Sequence, residues 1–410
     1  MTTTKNNEHK KLNAPNKREQ NQTCLDSAER EGLRPKGNVP NLRFPEFHGE
    51  WEKTKFGDIA TGFDYGMNAA AKNYDGVNKY IRITDIDEAS STYTDNDIVS
   101  PDGVLTDNYL VNNRDILLAR TGASTGKSYL YKKSDGKLYY AGFLIRANVT
   151  THDPYFVFSQ LHTHRYWRWV SIMSARSGQP GINSHEYSSF PIYTTSIEEE
   201  SKIAKLLSLL DERIATQNKI IEDLKKLKCA ISENLFKDVK GNIVMLSEIC
   251  EIIKGKQING EFLSESGKYY VMNGGTEPSG YYSDYNVEAN TISISEGGNS
   301  CGYIQFNPSP FWSGGHCYTI QKIADNVDNL YLYHYLKSQE DAIMKLRIGS
   351  GLPNIQKKDL AMFKIKIPAV EQQRKISTFL SSLERKAEIE EMLLNAMKKE
   401  KQYLLRQMFI

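Results

Sequence analysis

The sequence has no long apolar run, few cysteines and almost no net charge. No stretch approaches the ~18 consecutive apolar residues of a membrane span, and the first residues are polar, unlike a secretion signal. The five cysteines are odd in number and far apart, which argues against a disulfide framework or a zinc module. These absences predict a cytoplasmic protein that has no contact with a membrane.

The balance of charge excludes a simple electrostatic role. The 52 basic and 50 acidic residues give a formal charge of +2, whereas a domain that binds nucleic acid unaided is usually strongly basic. If the chain binds DNA, its positive charge must be gathered on one face, or a partner must supply much of the phosphate contact. Composition alone therefore leaves the function open.

What the sequence does contain is an internal repeat. The segment that begins at Ser177 returns at Ser350, and this offset of 173 residues (350 minus 177) holds without a gap to the pair Phe236 and Phe409. At 410 residues the chain is long enough for two domains, each with its own core. A duplicated unit gives pseudo-two-fold symmetry, which suits a two-part target such as two DNA half-sites.

Each copy reads as a mixed α and β globular part followed by a long helix. Short β-rich runs alternate with turns in the globular parts, and the ends of both copies keep helical periodicity with few breakers. The expected boundaries are a disordered N-terminal arm at 1–40, globular domains at 41–196 and 241–369, and helical spacers at 197–240 and 370–410. The predicted fold class is α+β.

The heptad pattern of the two spacers predicts a polar layer. With Ile203 at position a, the polar residues Gln217 and Glu390 occupy equivalent a positions, and Arg213 and Lys386 occupy equivalent d positions. If the helices pair antiparallel, these four side chains lie near the middle and fix the register. The alternative is that each helix packs along its own domain.

No motif in the chain predicts catalysis. The glycine-rich segment at 122–128 resembles a phosphate-binding loop, but three residues stand between its glycines where the pattern needs four. The equivalent segment of the second copy has Tyr303 in place of the lysine. His162 and His164 lack a spaced carboxylate or cysteine that would complete a metal site. We therefore expect no catalytic residue, no metal and no cofactor in this chain.

The residues shared by the two copies resemble those of a known family. The entry segment from Leu42 to Trp51, the paired Ser-Gly loops at 177–182 and 350–355, and the two long helices are similar to those of specificity subunits of type I restriction-modification systems. The resemblance covers about residues 41–410. It implies two target-recognition domains in a pseudo-two-fold arrangement, joined by two long helices that form an antiparallel coiled coil.

The resemblance also implies a function and partners. The chain would be a non-catalytic subunit that reads an asymmetric, two-part sequence in double-stranded DNA. It would dock two adenine methyltransferase subunits and, through them, the restriction and translocation subunits. S-adenosylmethionine, ATP and Mg would be bound by those partners. Two other interpretations stay open on the sequence alone: a coiled-coil adaptor that binds no nucleic acid, and an enzyme with methylation and cleavage fused to recognition.

Candidate base-reading side chains differ between the copies. Direct readout needs Arg, Asn, Gln or acidic groups at loop ends that face a groove. The candidates are Arg82, Asp85, Arg120, Gln179 and Asn183 in the first copy, and Asn273, Glu296, Asn354 and Gln356 in the second. For each of them, a structural turn or an exposed surface position is the competing interpretation.

Overall fold

The computed structural model describes residues 37–175, 180–349 and 353–410. Contacts divide the chain into two compact units: unit 1 is Met1–Asp211 with Lys399–Ile410, and unit 2 is Glu212–Lys398. The predicted disordered arm lies outside the described residues except for residues 37–40. The Ser-Gly loops also fall partly outside, at 176–179 and 350–352, and with them the predicted base contact Gln179.

Unit 1 is built mainly of short strands. They are β1 (Glu52–Lys55), β2 (Ala60–Tyr65), β3 (Ala70–Asn73), β4 (Lys79–Ile81), β5 (Val99–Asp102), β6 (Asp115–Ala119), β7 (Ser128–Leu130), β8 (Leu138–Tyr140), β9 (Leu144–Val149) and β10 (Pro191–Thr194). The helices are α1 (Phe56–Ile59), α2 (Pro154–Gln160), α3 (His164–Ser174), α4 (Ser184–Ser188) and the long α5 (Ile197–Asp238), which continues into unit 2.

The centre of unit 1 is a four-stranded antiparallel sheet in the order β2-β9-β6-β7. Strand β6 is buried along its whole length because it has a neighbour on both sides and covered faces. Strands β4 and β8 form a separate parallel pair. Two further antiparallel pairs, β1 with β10 and β3 with β5, complete the strands.

Unit 2 repeats this plan with shorter connections. Its strands are β11 (Asn242–Met245), β12 (Glu251–Lys254), β13 (Tyr269–Met272), β14 (Tyr281–Tyr282), β15 (Thr291–Ser295), β16 (Ile304–Asn307), β17 (Trp312–Ser313), β18 (Cys317–Gln321) and β19 (Lys364–Ile367). The helices are α6 (Leu246–Ile249), α7 (Asn329–Ser338), α8 (Glu340–Met344), α9 (Lys357–Ala361) and α10 (Val370–Gln407), which continues into unit 1. Within the described ranges, no helix is both long and apolar enough to span a bilayer.

The sheet of unit 2 has the same form, an antiparallel sheet in the order β12-β18-β15-β16. Strands β13 and β17 form the parallel pair, and β11 pairs with β19. Each element of this sheet has a counterpart in unit 1, since β15 corresponds to β6 and β18 to β9. The predicted α+β class is confirmed, with mixed helix and sheet in two units.

Each unit encloses the far end of a long helix. In unit 1, Phe409 lies just beyond α10, and its ring centroid is 6.0 Å from that of Trp51 and 5.3 Å from that of Phe156. In unit 2, the equivalent Phe236 of α5 lies 5.2 Å from Tyr335 between ring centroids. A helix that begins in one unit therefore ends in the core of the other.

The structure corrects the predicted heptad frame of α5. The positions that are buried or half-buried follow a stripe with alternating spacings of three and four, through Ile203, Leu207, Leu210, Ile214, Gln217, Ile221, Leu224, Lys228, Ile231 and Leu235. The predicted a positions are on this stripe, but the predicted d positions, Arg213 among them, are exposed. Lys386 is exposed at the equivalent position of α10. The stripe follows position e because its aliphatic side chains are more continuous than those at d.

The two long helices run in opposite directions where they contact each other. In unit 2, Gln217 Nε2 donates to the Glu390 carboxylate at 2.6 Å and to the Glu390 carbonyl at 3.2 Å. Further along α5, Lys228 pairs with Glu384, which is earlier in α10. In unit 1, Lys401 pairs with Asp211 at 2.6 Å. From Gln217 with Glu390 to Lys228 with Glu384, the partner number falls in α10 as the residue number rises in α5, so the two helices are antiparallel where they touch.

Candidate functional site

A tight turn between β8 and β9 is fixed at several points in unit 1. Ala141 N donates to Ile81 O at 3.0 Å, and Gly142 N donates to Met67 O at 2.8 Å. On its other side, Arg120 N donates to Phe143 O at 3.0 Å. These bonds tie the turn to the loops after β2, β4 and β6, so its conformation is set from three directions.

The turn between β17 and β18 repeats this pattern in unit 2. Gly314 N donates to Met272 O at 2.8 Å, and Glu296 N donates to His316 O at 2.9 Å. The predicted base contact Asn273 supports the same turn, because its Oδ1 accepts from His316 N at 3.2 Å. We call this turn, at 141–143 and 314–316, the hub turn.

A glycine is required beside each hub turn. A Cβ at Gly66 would lie 2.2 Å from Ala141 O, and a Cβ at Gly255 would lie 2.2 Å from Gly314 O. Both distances are far below van der Waals contact, so no larger residue fits without moving the turn. The end of β2 or β12 therefore passes directly against the hub turn.

Three pairs of equivalent side chains surround the hub turns. We call them the rim clusters: Tyr65, Arg120 and Phe143 in unit 1, and Lys254, Glu296 and His316 in unit 2. The equivalence follows from the backbone, since each glycine after β2 or β12 donates to the first residue of β9 or β18, at 3.1 Å in unit 1 and 2.8 Å in unit 2. The same frame thus carries different chemistry in the two units.

The rim cluster of unit 1 combines one cation with two exposed aromatic rings. The Arg120 guanidinium lies 4.6 Å from the centre of the Tyr65 ring, and its Nη1 donates to Gly142 O at 3.3 Å. The Tyr65 hydroxyl accepts from Ser184 N at 3.2 Å, which limits the motion of that ring. Phe143 is 59% exposed although its backbone is fixed. Phe143 therefore presents an apolar ring to solvent from a turn whose backbone is fixed.

The rim cluster of unit 2 has a buried carboxylate at its centre. Glu296 Oε1 accepts from Lys254 Nζ at 2.6 Å and from the Tyr318 hydroxyl at 3.0 Å. Its Oε2 lies 3.7 Å from His316 Nδ1 and accepts no hydrogen bond from the described residues. Burial, followed by the hydrogen bond to Glu296, raises the pKa of Tyr318 to about 12. Lys254 and Tyr318 therefore hold one oxygen of the carboxylate, and the other oxygen faces the exposed imidazole of His316.

The described ends of the Ser-Gly loops lie beside the rim clusters. In unit 1, Gly122 N donates to Pro180 O at 3.0 Å, and Ile182 N donates to Arg120 O at 2.9 Å. The equivalent bonds of unit 2 are Gly298 N to Pro353 O at 3.0 Å and Ile355 N to Glu296 O at 2.8 Å. The described ends of the loop therefore lie beside the residues that hold the hub turn in each unit.

Arg82 and Asp85 form an ion pair within unit 1. Arg82 Nε donates to Asp85 Oδ2 at 2.9 Å and Nη2 donates to Oδ1 at 2.8 Å, a bidentate arrangement. Arg82 Nη2 also reaches Asp97 Oδ2 at 3.1 Å, and Asp85 is buried. These contacts give both side chains a structural role in the loop after β4. Their contact with bases stays a prediction.

The other predicted side chains divide between caps and exposed positions. Asn183 Oδ1 accepts from Glu186 N at 2.9 Å and caps α4. Gln356 stands at the equivalent N-cap of α9 without a side-chain cap. Asn354 is exposed, and its backbone is bridged to Ile348 and Gly297. In unit 2 the structure brings Asn273 and Glu296 to one hub turn, and Asn354 lies beside Gly297.

Sequence reasoning missed four members of the rim clusters: Tyr65, Phe143, Lys254 and His316. The signal was present, because Gly142 and Gly315 each precede an aromatic residue at the same repeat offset. Direct readout is expected of polar side chains, so the residue type of Phe143 gives no such signal. Among the described residues, no set of three or more His, Cys, Asp or Glu side chains is arranged to hold a metal ion.

Comparison with known proteins identifies the repeated unit. The model of the type I restriction modification DNA specificity domain matches the chain twice, at residues 48–226 and 239–399. A crystal structure of the S subunit of a type I restriction-modification system from M. genitalium superposes with a TM-score of 0.65 at 19% identity. That superposition covers 91% of this chain and 99% of the other, and it supports the fold.

Curated relatives agree with the family match. A putative type I specificity subunit of Mycoplasma pneumoniae is 33% identical over 40% of this chain and 42% of its own length. A type I restriction enzyme specificity subunit of Methanocaldococcus jannaschii is 24% identical over 85% of this chain and 88% of its own length. The chain spans less than half of the first of these relatives and most of the second. The resemblance is confirmed: the chain belongs to the family of type I restriction-modification specificity subunits.

Proposed function

We propose that the chain is the DNA-reading subunit of a type I restriction-modification complex. Each unit reads one half of an asymmetric, two-part target in double-stranded DNA through the surface around its hub turn. The observation that carries this proposal is the pair of rim clusters, because equivalent backbone bonds present Tyr65, Arg120 and Phe143 in one unit and Lys254, Glu296 and His316 in the other. Two readers with one frame and different side chains suit two different half-sites.

The long helices join the two readers in this proposal. They form an antiparallel coiled coil, with Gln217 and Glu390 as its polar layer. Their antiparallel contacts and the repeat offset support this arrangement. At ~1.5 Å per residue, the 42 residues of α5 extend over about 63 Å. Helix length would then set the unspecified spacer between the half-sites, so adding helical turns within 222–228 lengthens the spacer and keeps both half-sites.

The chain is a non-catalytic subunit, and its partners supply the chemistry. Two adenine methyltransferase subunits bind S-adenosylmethionine, and restriction subunits bind ATP and Mg. Exposed apolar side chains on the helices in unit 2, Ile220, Leu227, Ile389 and Met392, offer a docking surface for the methyltransferase. One solved structure with a similar fold concerns the structural basis of complex assembly in a type I restriction-modification system, which supports by analogy a role in assembly for this chain.

Ion pairing near the rim clusters indicates how phosphate contacts are shared. Arg82 is bound to Asp85, Lys254 to Glu296, and Arg146 to Asp64 at 3.2 Å. With a net charge of +2 as well, these pairs reduce the positive charge that the surface near the rim clusters offers to phosphates. The assembled complex should therefore show a steeper dependence of DNA affinity on salt concentration than the isolated chain, as measured by titrations at several salt concentrations.

The decisive experiment is a methylome. The chain is expressed with a type I adenine methyltransferase subunit in a host free of DNA methylation, and N6-methyladenine is mapped by single-molecule sequencing. Methylation at one asymmetric, two-part sequence that depends on this chain is the expected result. The proposal would be contradicted if the methyltransferase forms a stable complex with the chain and yet methylates the same sites as the methyltransferase alone.

A further inference from the structure

Phe143 and His316 stand apart from the other side chains near the hub turns. They occupy equivalent positions, and each is strongly exposed: Phe143 by 59% and the His316 side chain by 64%. Both are aromatic, yet only His316 can form a hydrogen bond.

The backbone around this position is fixed more firmly than an exposed loop requires. Phe143 O accepts from Arg120 N at 3.0 Å, and Gly142 N is bound to Met67 O at 2.8 Å. In unit 2 both backbone groups of His316 are bound, since its N donates to Asn273 and its O accepts from Glu296 N. A rigid backbone below an exposed side chain is the arrangement expected of a preorganised contact residue.

The neighbours of the two rings prepare them for different partners. Phe143 O accepts from Arg120 N, and the Arg120 guanidinium stacks on the Tyr65 ring, so a cation and a second aromatic ring adjoin the hub turn of unit 1. His316 stands beside Glu296, whose Oε2 lies 3.7 Å from Nδ1. The carboxylate stands on the Nδ1 side of the ring, so Nε2 is the nitrogen that this unit offers to a group outside the protein.

We propose that Phe143 and His316 are the principal specificity-determining residues of their units, the first by apolar contact and the second by a hydrogen bond to a base edge. This inference rests on the proposed function and refines it. Phe143 favours a thymine, whose C5 methyl group is the apolar feature of the major groove. His316 reads a polar base edge through Nε2, with Glu296 as the positioning residue that orients its ring.

The repeat provides a reciprocal test. Phe143→His and His316→Phe exchange equivalent surface residues without changing a buried side chain, so both variants should fold. Each is co-expressed with the methyltransferase, and relative methylation is measured for every single-base change in both half-sites. Phe143→His should alter base preference about tenfold at a position of the first half-site and leave the second unchanged. His316→Phe should do the converse.

Two further variants separate reading from structure. Ile243→Ala removes a side chain that is 65% exposed on β11, away from the hub turn, and should leave both half-sites unchanged. Glu296→Gln keeps the size of the side chain but removes the charge beside Nδ1. It should weaken discrimination only at the base read by His316, whereas a purely structural role would lower methylation evenly at all sequences.

The outcomes distinguish this inference from the proposed function. If wild-type methylation occurs at a two-part sequence and both exchanges leave every base preference unchanged, the inference is wrong and the proposed function stands. If Phe143→His alters only the second half-site and His316→Phe only the first, the inference is also wrong and the proposed function stands. If the wild-type complex shows no sequence preference that depends on this chain, both proposals fall together.

Discussion

The two units have equivalent backbones but bury different polar side chains at equivalent positions. At equivalent positions near the start of each long helix stand Glu200 and Gln373, both fully buried. Glu200 accepts from Asp153 N at 3.0 Å and from His152 Nδ1 at 2.9 Å. Gln373 Oε1 accepts from the equivalent Asp328 N at 2.8 Å, while its amide nitrogen donates to backbone carbonyls. Both units require an acceptor for the backbone N–H of Asp153 or Asp328 at this position. The second polar atom of the side chain differs because its partners differ, a histidine in unit 1 and backbone carbonyls in unit 2.

The rim clusters show the same rule at the surface. Backbone bonds around the hub turns are alike in the two units, but a stacked arginine in one is replaced by a carboxylate in the other. What must be alike is therefore the position of the backbone, and what can differ is the side chain presented to a target. The comparison makes several quantitative predictions.

The largest effect is expected where each unit encloses the far end of a helix. Phe409→Ala should destabilise unit 1 and Phe236→Ala should destabilise unit 2, each by about 3–5 kcal/mol, because each opens a cavity in an aromatic core. Hydrogen exchange measured by mass spectrometry would locate the loss. An exposed control, Phe262→Ala, should change little. Loss of protection in the same unit for both core variants would contradict the division of the chain.

The buried Glu200 and Gln373 pair gives a second test. Gln373→Glu places a carboxylate oxygen against Pro368 O and Asn326 O, which now accept from the amide at 2.8 and 3.0 Å. We expect a loss of about 3 kcal/mol at neutral pH from this unpaired buried charge, seen as a lower urea midpoint. Glu200→Gln should cost less, because a neutral amide is cheaper to bury. Equal losses would mean that the environments are interchangeable.

Acidification should weaken both units through one histidine in each, the half-buried His162 in unit 1 and the buried His334 in unit 2. Burial lowers the pKa of His162 to about 4, and burial also lowers that of His334 to about 4. Because the unfolded state then binds protons at higher pH than the folded state, stability is full above about pH 6.5 and falls as pH drops toward 4. At pH 5 each histidine should cost about 2 kcal/mol relative to pH 7. His162→Gln and His334→Gln should each reduce this slope in urea titrations, and an unchanged slope in both would refute it.

The smallest effect concerns the ion pairs between the long helices. Lys228 with Glu384 in unit 2 corresponds to Lys401 with Asp211 in unit 1, and all four side chains are about a quarter exposed. Each pair also accepts a hydrogen bond from a tyrosine hydroxyl, that of Tyr155 in unit 1 and that of Tyr333 in unit 2. A double-mutant cycle should give about 1 kcal/mol for each pair, less at high salt. A much larger value in one unit would show that the halves of the spacer are not equivalent.

Much of this architecture could be predicted from the sequence, because the repeat leaves a direct record. The ungapped offset pairs Phe236 with Phe409, and periodicity indicates the long helices. The frame of the helical seam was predicted wrongly at Arg213 and Lys386, since positions d and e are both rich in aliphatic residues and only packing decides between them. The hub turns could not be predicted, because they depend on hydrogen bonds between segments far apart in sequence, such as Ala141 with Ile81.

The enclosure of Phe409 in unit 1 has a consequence for biosynthesis. Residues 37–211 leave the ribosome before any of unit 2, yet their core also needs Leu405, Met408 and Phe409. Leu42 N likewise donates to Gln407 O at 2.8 Å, a bond that cannot form until Gln407 has been synthesised. The first unit to be synthesised is therefore the last that can be completed. Until then its apolar surface stays exposed, so chaperone dependence during translation should be concentrated in the first half of the chain.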